Sequence, residues 1–237
     1  MNVHTLGFGY VRTFGFFKKL ARIQVILPYS SLAGKATVNG RDTATARNGF
    51  GDARIRVGIN LIGSPALSAK EFRQYEQKTI VGLSLVASLP VGLYYSDKLI
   101  NLGNNRWGIK PEIGISRRFK HLYAEAYAGV WFYTSNKSFY TSKVQTQEPV
   151  RSIQGHLSYY FKNQMWLGVN ANWFNGGETY VDGVASGELQ DNWRVGAVWS
   201  VSIAKQHSLK LQFHAGAFTS TGYDYNVVML GYQYVFF

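Results

Sequence analysis

The sequence contains no cysteine, which removes disulfides, thiolate metal sites and cysteine nucleophiles at once. It also has no run approaching the ~18 to 20 consecutive apolar residues that a membrane-spanning helix needs, so a helical membrane protein is excluded. Acidic residues are scarce: 13 Asp and Glu stand against 25 Lys and Arg, a formal charge of +12. Such a balance suits nucleic acid, an anionic membrane surface or a lumen that draws in anions. Nucleic-acid recognition requires Lys and Arg gathered on one face with a reading module. Here they are scattered over alternating segments and turns, and no nucleic-acid partner is expected. Met1 leads into Asn2-Val3-His4 without the basic stretch, apolar core and small-residue cleavage site of a secretory signal.

What is abundant is aromatic and glycine: 16 Tyr, 15 Phe, 6 Trp and 25 Gly in 237 residues. The mean hydropathy is nevertheless only −0.13. A barrel strand produces this combination, because every second residue faces a polar interior and cancels its apolar neighbour. The clearest segment is 52–62, where Asp52, Arg54, Arg56, Gly58 and Asn60 alternate with Ala53, Ile55, Val57, Ile59 and Leu61. An unbroken period of two over about ten residues matches a tilted membrane strand. The same alternation recurs over 122–133, 164–173, 192–203 and 209–217, with weaker strands over 3–16, 21–28, 79–89, 106–118, 150–161 and 225–237. That makes eleven strands in one domain, 1–237.

The connections alternate in length. Residues 17–20, 119–121, 162–163 and 205–207 are tight turns; 29–51, 90–105, 134–149, 175–191 and 219–224 are long polar links. Short turns on one side and long loops on the other is the outer-membrane arrangement, with the periplasmic side short. One short-side connection differs: Ser64 can cap and Pro65 can open a helix, which predicts a short periplasmic helix over Pro65–Tyr75. Trp107, Trp173 and Trp193 lie on apolar faces beside long loops and predict an upper aromatic girdle; Tyr159, Phe161 and Phe236 predict a lower one. The fold class is therefore all-β, an antiparallel up-and-down transmembrane barrel in contact with outer-membrane lipid and lipopolysaccharide. Single-chain bacterial barrels have even strand numbers with both ends periplasmic. Eleven strands thus predict that a twelfth strand and a signal peptide precede Met1. The terminal aromatic strand resembles the signal read by the barrel assembly machinery, with Gly231, Tyr234 and Phe236 at fitting spacing and Met229 departing from it.

Four stretches carry a further resemblance: Asn48-Gly49-Phe50-Gly51-Asp52, Gly63-Ser64-Pro65-Ala66-Leu67-Ser68, Asn101-Leu102-Gly103-Asn104-Asn105-Arg106-Trp107 and Gly176-Gly177-Glu178-Thr179. In content and order they resemble the family of bacterial outer-membrane transporters named for the meta-pathway of phenol degradation. The resemblance, from about Tyr29 onward, implies a twelve-stranded barrel that carries aromatic or other hydrophobic small molecules inward.

By alternation the inward set includes Arg54, Arg56, Lys110, Glu112, Glu125, His156, Arg194, Lys210 and His214, with the rings of Tyr123, Tyr127 and Trp166; Asp52 sits at the mouth. Cations outnumber carboxylates, so the expected function is a channel for small organic molecules, including aromatic compounds and their anions. The same charges could instead pair into a network that only holds the interior together. An enzyme reading rests on His156-Leu157-Ser158, a His and a Ser two apart on one strand as in outer-membrane phospholipases, with Asn170 and Asn172 on the following strand. His156 shares the apparent lumen face, however, whereas a lipid hydrolase should expose the pair outward. An adhesin or structural barrel would use the long loops, above all 135–147. The five histidines, at 4, 121, 156, 207 and 214, show no short paired spacing, and neither a metal nor a cofactor is expected.

Overall fold

The computed structural model describes residues 1–38, 41–67, 71, 74–221 and 225–236. In chain order its strands are β1 (Asn2–Phe16), β2 (Lys19–Val38), β3 (Arg41–Phe50), β4 (Arg54–Ile62), β5 (Thr79–Ser88), β6 (Gly108–Phe119), β7 (Leu122–Tyr133) and β8 (Asn136–Phe139). They continue with β9 (Lys143–Gln147), β10 (Val150–Tyr160), β11 (Trp166–Gly176), β12 (Thr179–Val181), β13 (Val184–Ala185), β14 (Gln190–Ala204), β15 (His207–Thr219) and β16 (Val227–Tyr234). Eleven of them follow one another in a curled antiparallel sheet in the order β1-β2-β4-β5-β6-β7-β10-β11-β14-β15-β16, and β3 joins it as a twelfth strand by pairing with β2. The eleven in succession are the strands that the alternation predicts. Phe237, predicted as the last residue of the final one, lies outside the described residues.

On one side of the sheet β1–β2, β6–β7, β10–β11 and β14–β15 are joined by short turns, whereas β4 and β5 are joined by the longer link 63–78. Phe16 faces Lys19 across Phe17 and Lys18, both at positive φ, and Phe119 faces Leu122 across a turn with Lys120 at φ 56°. Two-residue turns of this handedness match the right-handed strand twist and hold the hairpins in register.

The two faces of the sheet are opposite in chemistry. Along β6, Lys110, Glu112 and Ser116 are 5%, 5% and 9% exposed, while Ile109, Ile113 and Ile115 are 41%, 52% and 48% exposed. In water this polarity would be inside-out. Exposed aliphatic side chains around covered charges are stable only where the surroundings are hydrocarbon. Val57, Leu85, Leu157, Val169 and Phe213 continue the exposed apolar face around the sheet. The edge strands β1 and β16 run in the same direction and are not paired with each other among the described residues. Tyr10 of β1 nonetheless stacks on Phe236 just beyond β16, ring centroids 6.3 Å apart.

Three of the predicted long links are more ordered than polarity suggests. The link over 29–51 is a β-ribbon: β2 leaves β4 after Ile26 and pairs with β3 from Tyr29 to Val38. The links over 134–149 and 175–191 contribute β8, β9, β12 and β13 to a separate small sheet of order β13-β12-β9-β8. Backbone N–H and C=O groups drive this, since long loops satisfy them most cheaply by pairing with one another. The predicted helix does not begin at Pro65. Pro65 instead forms an isolated antiparallel bridge with Lys19, and the Ala66 N–H donates to the Lys18 carbonyl over 3.1 Å. The bridging strand neighbour satisfies groups that a helix would have left open at its first turn. Glu71 is helical, with the Gln74 N–H donating to its carbonyl over 3.1 Å; residues 68–70 and 72–73 of the prediction lie outside the described residues.

Candidate functional site: the inner face and its exterior mouth

Register brings the predicted inward residues onto one face. Glu125 lies opposite His156, His156 opposite Asn170, Asn170 opposite Gly196 and Gly196 opposite His214. One row toward the exterior, Tyr127, Gln154, Asn172 and Arg194 follow each other in the same way. Tyr123 faces Ser158, and Trp166 joins Ser200 and Lys210 nearer the periplasmic turns. Arg54 faces Ser88, which faces Gly108 and, through it, Tyr133. His156 and Ser158 therefore both point to the inner face, away from lipid.

The densest charge cluster joins β4, β5 and β6. The buried Glu112 carboxylate accepts from the Lys110 ammonium at 2.6 Å on one oxygen and is paired with Arg56 through the other. Ser84, missed by the sequence reading although it shares this face, lies between them. It accepts from Arg56 Nε at 3.3 Å and donates to Glu112 at 3.2 Å. Two cations on one carboxylate leave a net positive charge. Arg22 adds to it, since it lies opposite Gly58 one step from the Arg56 row. The remaining candidates are more dispersed. The Arg194 guanidinium sits 3.9 Å over the Tyr225 ring and donates to its carbonyl at 2.8 Å, and Lys210 lies 5.9 Å over Trp166.

Two glycines set how the rings lie. A Cβ at Gly114 would stand 2.4 Å from the Tyr127 ring, and one at Gly196 would stand 2.3 Å from His214 Nδ1. Both side chains therefore fold flat on a neighbouring strand instead of projecting across the lumen. The periodicity placed glycine on this face, but only the pairing register shows which side chain each glycine receives.

At the exterior end, the segment between β5 and β6 packs along the inner side of the ribbon. Gly49 lies opposite Ser30, and a Cβ there would stand 2.9 Å from Leu93. Asp52, 8% exposed, fastens this segment: one carboxylate oxygen accepts the Gly92 N–H at 3.0 Å, and the other accepts the Asn104 N–H at 2.8 Å and its side-chain amide at 3.0 Å. Gly92 and Gly103 touch backbone to backbone, since a Cβ on Gly92 would stand 2.8 Å from Gly103 Cα. Asn136, 1% exposed, makes a second fastening: its carbonyl accepts from Asn105 at 2.9 Å and its amide donates to the Tyr94 hydroxyl at 2.8 Å. Arg106 donates to Gln147 at 2.6 Å and lies 4.9 Å over Tyr133, with its Nη1 buried and unpartnered among the described residues. Burial holds this guanidinium below its ordinary value, opposed by Tyr133 and Asp52. The polar stretch 48–52 and the stretch 101–107 are thus two halves of one contact, which spacing in the sequence could not reveal.

The residues predicted for the two girdles lie on the outward face. Trp173 and Trp193 face each other with centroids 6.3 Å apart, and Trp107, at the mouth, is 46% exposed. Tyr159 and Phe161 pair edge-on at 4.9 Å toward the turns, and Phe236 lies 5.3 Å from Tyr234. Trp199, opposite Leu167 and Leu211, lies on the apolar face that the alternation over 192–203 predicts and is a further outward tryptophan outside the two predicted girdles.

A lipid-type face outward and a face of cations, rings and amides inward define an up-and-down β-barrel of the outer-membrane type. The chain belongs to the family described as "Putative MetA-pathway of phenol degradation", whose profile matches residues 1–226. In structure it is similar to an outer membrane channel from Pseudomonas putida F1, with a TM-score of 0.76 and 17% sequence identity, over 98% of this chain and 82% of that one. At that identity the likeness is one of fold. No curated protein matches the sequence.

Proposed function

We propose that this protein is an integral outer-membrane channel for small organic molecules, with aromatic compounds and their anions the favoured cargo. The reversed polarity of the two faces carries the reading: charges and amides are gathered on the inner face while the aliphatic face is left to lipid. The family's link to phenol degradation and the channel fold of the Pseudomonas putida F1 protein support it. A lipid hydrolase built on His156 and Ser158 fits less well, since both residues share the inner face with Glu125 and Asn170. In this reading the inner residues from Arg54 and Arg56 through Lys110 to His214 contact cargo, and Gly231, Tyr234 and Phe236 meet the assembly machinery. Planar-bilayer recording tests the proposal. Stepwise conductance with a reversal potential displaced toward chloride is the expected result; a protein that inserts and never conducts overturns it.

A further inference from the structure

Every inner-facing ring of β7 carries a cation. Arg106 lies 4.9 Å over Tyr133, Lys110 5.4 Å over Trp131, Arg56 5.9 Å over Tyr127 and Arg118 5.6 Å over Tyr123. The cations come from β4, β6 and the segment before β6, so three elements converge on one strand. Tyr133 to Tyr123 is ten steps of strand, about 34 Å of chain and about 24 Å of depth at a ~45° tilt, close to the thickness of the hydrocarbon core. At the periplasmic end the rings continue sideways: Tyr123 lies 4.8 Å from Tyr160, and Tyr160 stacks 5.7 Å from Trp166, which carries Lys210. The head of the series lies at the fastened segment, where Arg106 Nη1 is buried with no hydrogen-bond partner among the described residues. The inner face of β14 and β15 differs: Val198, Gln212 and Ser200 line it between its charged residues.

Resting on the channel reading above, we infer that β7 is a conduction lane for aromatic monocarboxylates, handed from Arg106 and Tyr133 down to Arg118 and Tyr123. Each station offers a flat ring for stacking; Arg106 and Arg118 at the two ends offer a cation for the carboxylate, while at the middle stations Arg56 and Lys110 share Glu112 and draw the anion more weakly. A benzoate-like ion matches both at once, whereas chloride uses only the cation and a neutral aromatic only the ring. Glu112 counters Arg56 and Lys110 midway, which keeps an anion from being trapped there, as conduction requires.

Single-channel recording of the full chain in KCl, with benzoate or cyclohexanecarboxylate added, tests the lane. Benzoate should block at a concentration at least about threefold lower, the advantage of ring stacking over bare charge. Trp131→Leu and Tyr127→Leu should each erase much of that difference, and Trp131→Phe should keep it. Arg106→Gln should weaken block by both acids alike, and Gln212→Leu on the far wall should change neither. Equal block by the two acids in the native channel, or Gln212→Leu mattering as much as Trp131→Leu, overturns the lane and leaves the channel standing. Absence of any conductance overturns the channel reading instead. The lane is then read in detergent by quenching of tryptophan fluorescence with benzoate, which Trp131→Leu should weaken; no quenching overturns it there too.

Discussion

Asp52→Ala should open the exterior mouth without unfolding the wall. The carboxylate accepts three hydrogen bonds, two from backbone N–H groups of Gly92 and Asn104 and one from the Asn104 amide. Bonds to a charged acceptor contribute about 1.5–3 kcal/mol each, and a donor left buried without a partner costs a comparable amount. Taking about 4 kcal/mol for the set, after allowing for water that reaches the vacated site, the docked-to-released ratio of the segment falls by about a thousandfold. Asn136 still holds the adjacent Asn105 and Tyr94, so release should be confined to the stretches around Gly92 and Asn104. Asp52→Asn is the sharper variant. It keeps the shape and one acceptor but turns an amide N–H₂ toward donors, and it should release the segment almost as well. Larger, noisier conductance steps are expected from both variants, together with faster amide exchange at Gly92 and Asn104. Heat-modifiable gel mobility reports whether the barrel is intact. An intact barrel with unchanged conductance and unchanged exchange refutes the reasoning, because the carboxylate would then not be what holds the segment over the lumen.

Val57→Arg puts a charge on the outward face, where Val57 is 47% exposed, and should cost about 2–4 kcal/mol near mid-membrane; urea unfolding of the barrel in lipid vesicles measures it. Gly114→Val drives Tyr127 off its neighbour strand, since even a Cβ stands 2.4 Å from the ring, so conductance should fall while the barrel still inserts. Glu112→Gln leaves Arg56 and Lys110 without their shared carboxylate. Anion selectivity should rise, read as a reversal potential in a KCl gradient, and stability should fall by about 3–5 kcal/mol.

Strand identity was legible because a barrel wall imposes a period of two on every span. Residues 52–62 and 122–133 show it so plainly that face, length and inward residues follow from the letters alone. The exceptions have physical causes. Ser64 and Pro65 carry helix-start chemistry, yet the bridge to Lys19 outweighs it, because pairing at a neighbouring strand satisfies backbone groups that a short helix leaves exposed. Polar links over 29–51 and 134–149 read as loops because composition reports solvation, while the ladders that order them depend on partners far along the chain. Arg106, Trp131 and Arg118 escaped notice as a group for the same reason: each shares the inner parity, but their meeting on β7 is a matter of register.

The sequence by itself thus determined the class of environment, the number of wall strands and the chemistry of each face, since hydrocarbon on one side and polar space on the other dictate residue type position by position. Which side chains meet was decided only in the tertiary structure. Asp52 reaching Asn104, Glu112 shared by Arg56 and Lys110, and the cations seated on β7 all join residues from different segments of the chain. Strand stagger sets those distances, and a slip of one residue would reverse every face while leaving the composition unchanged.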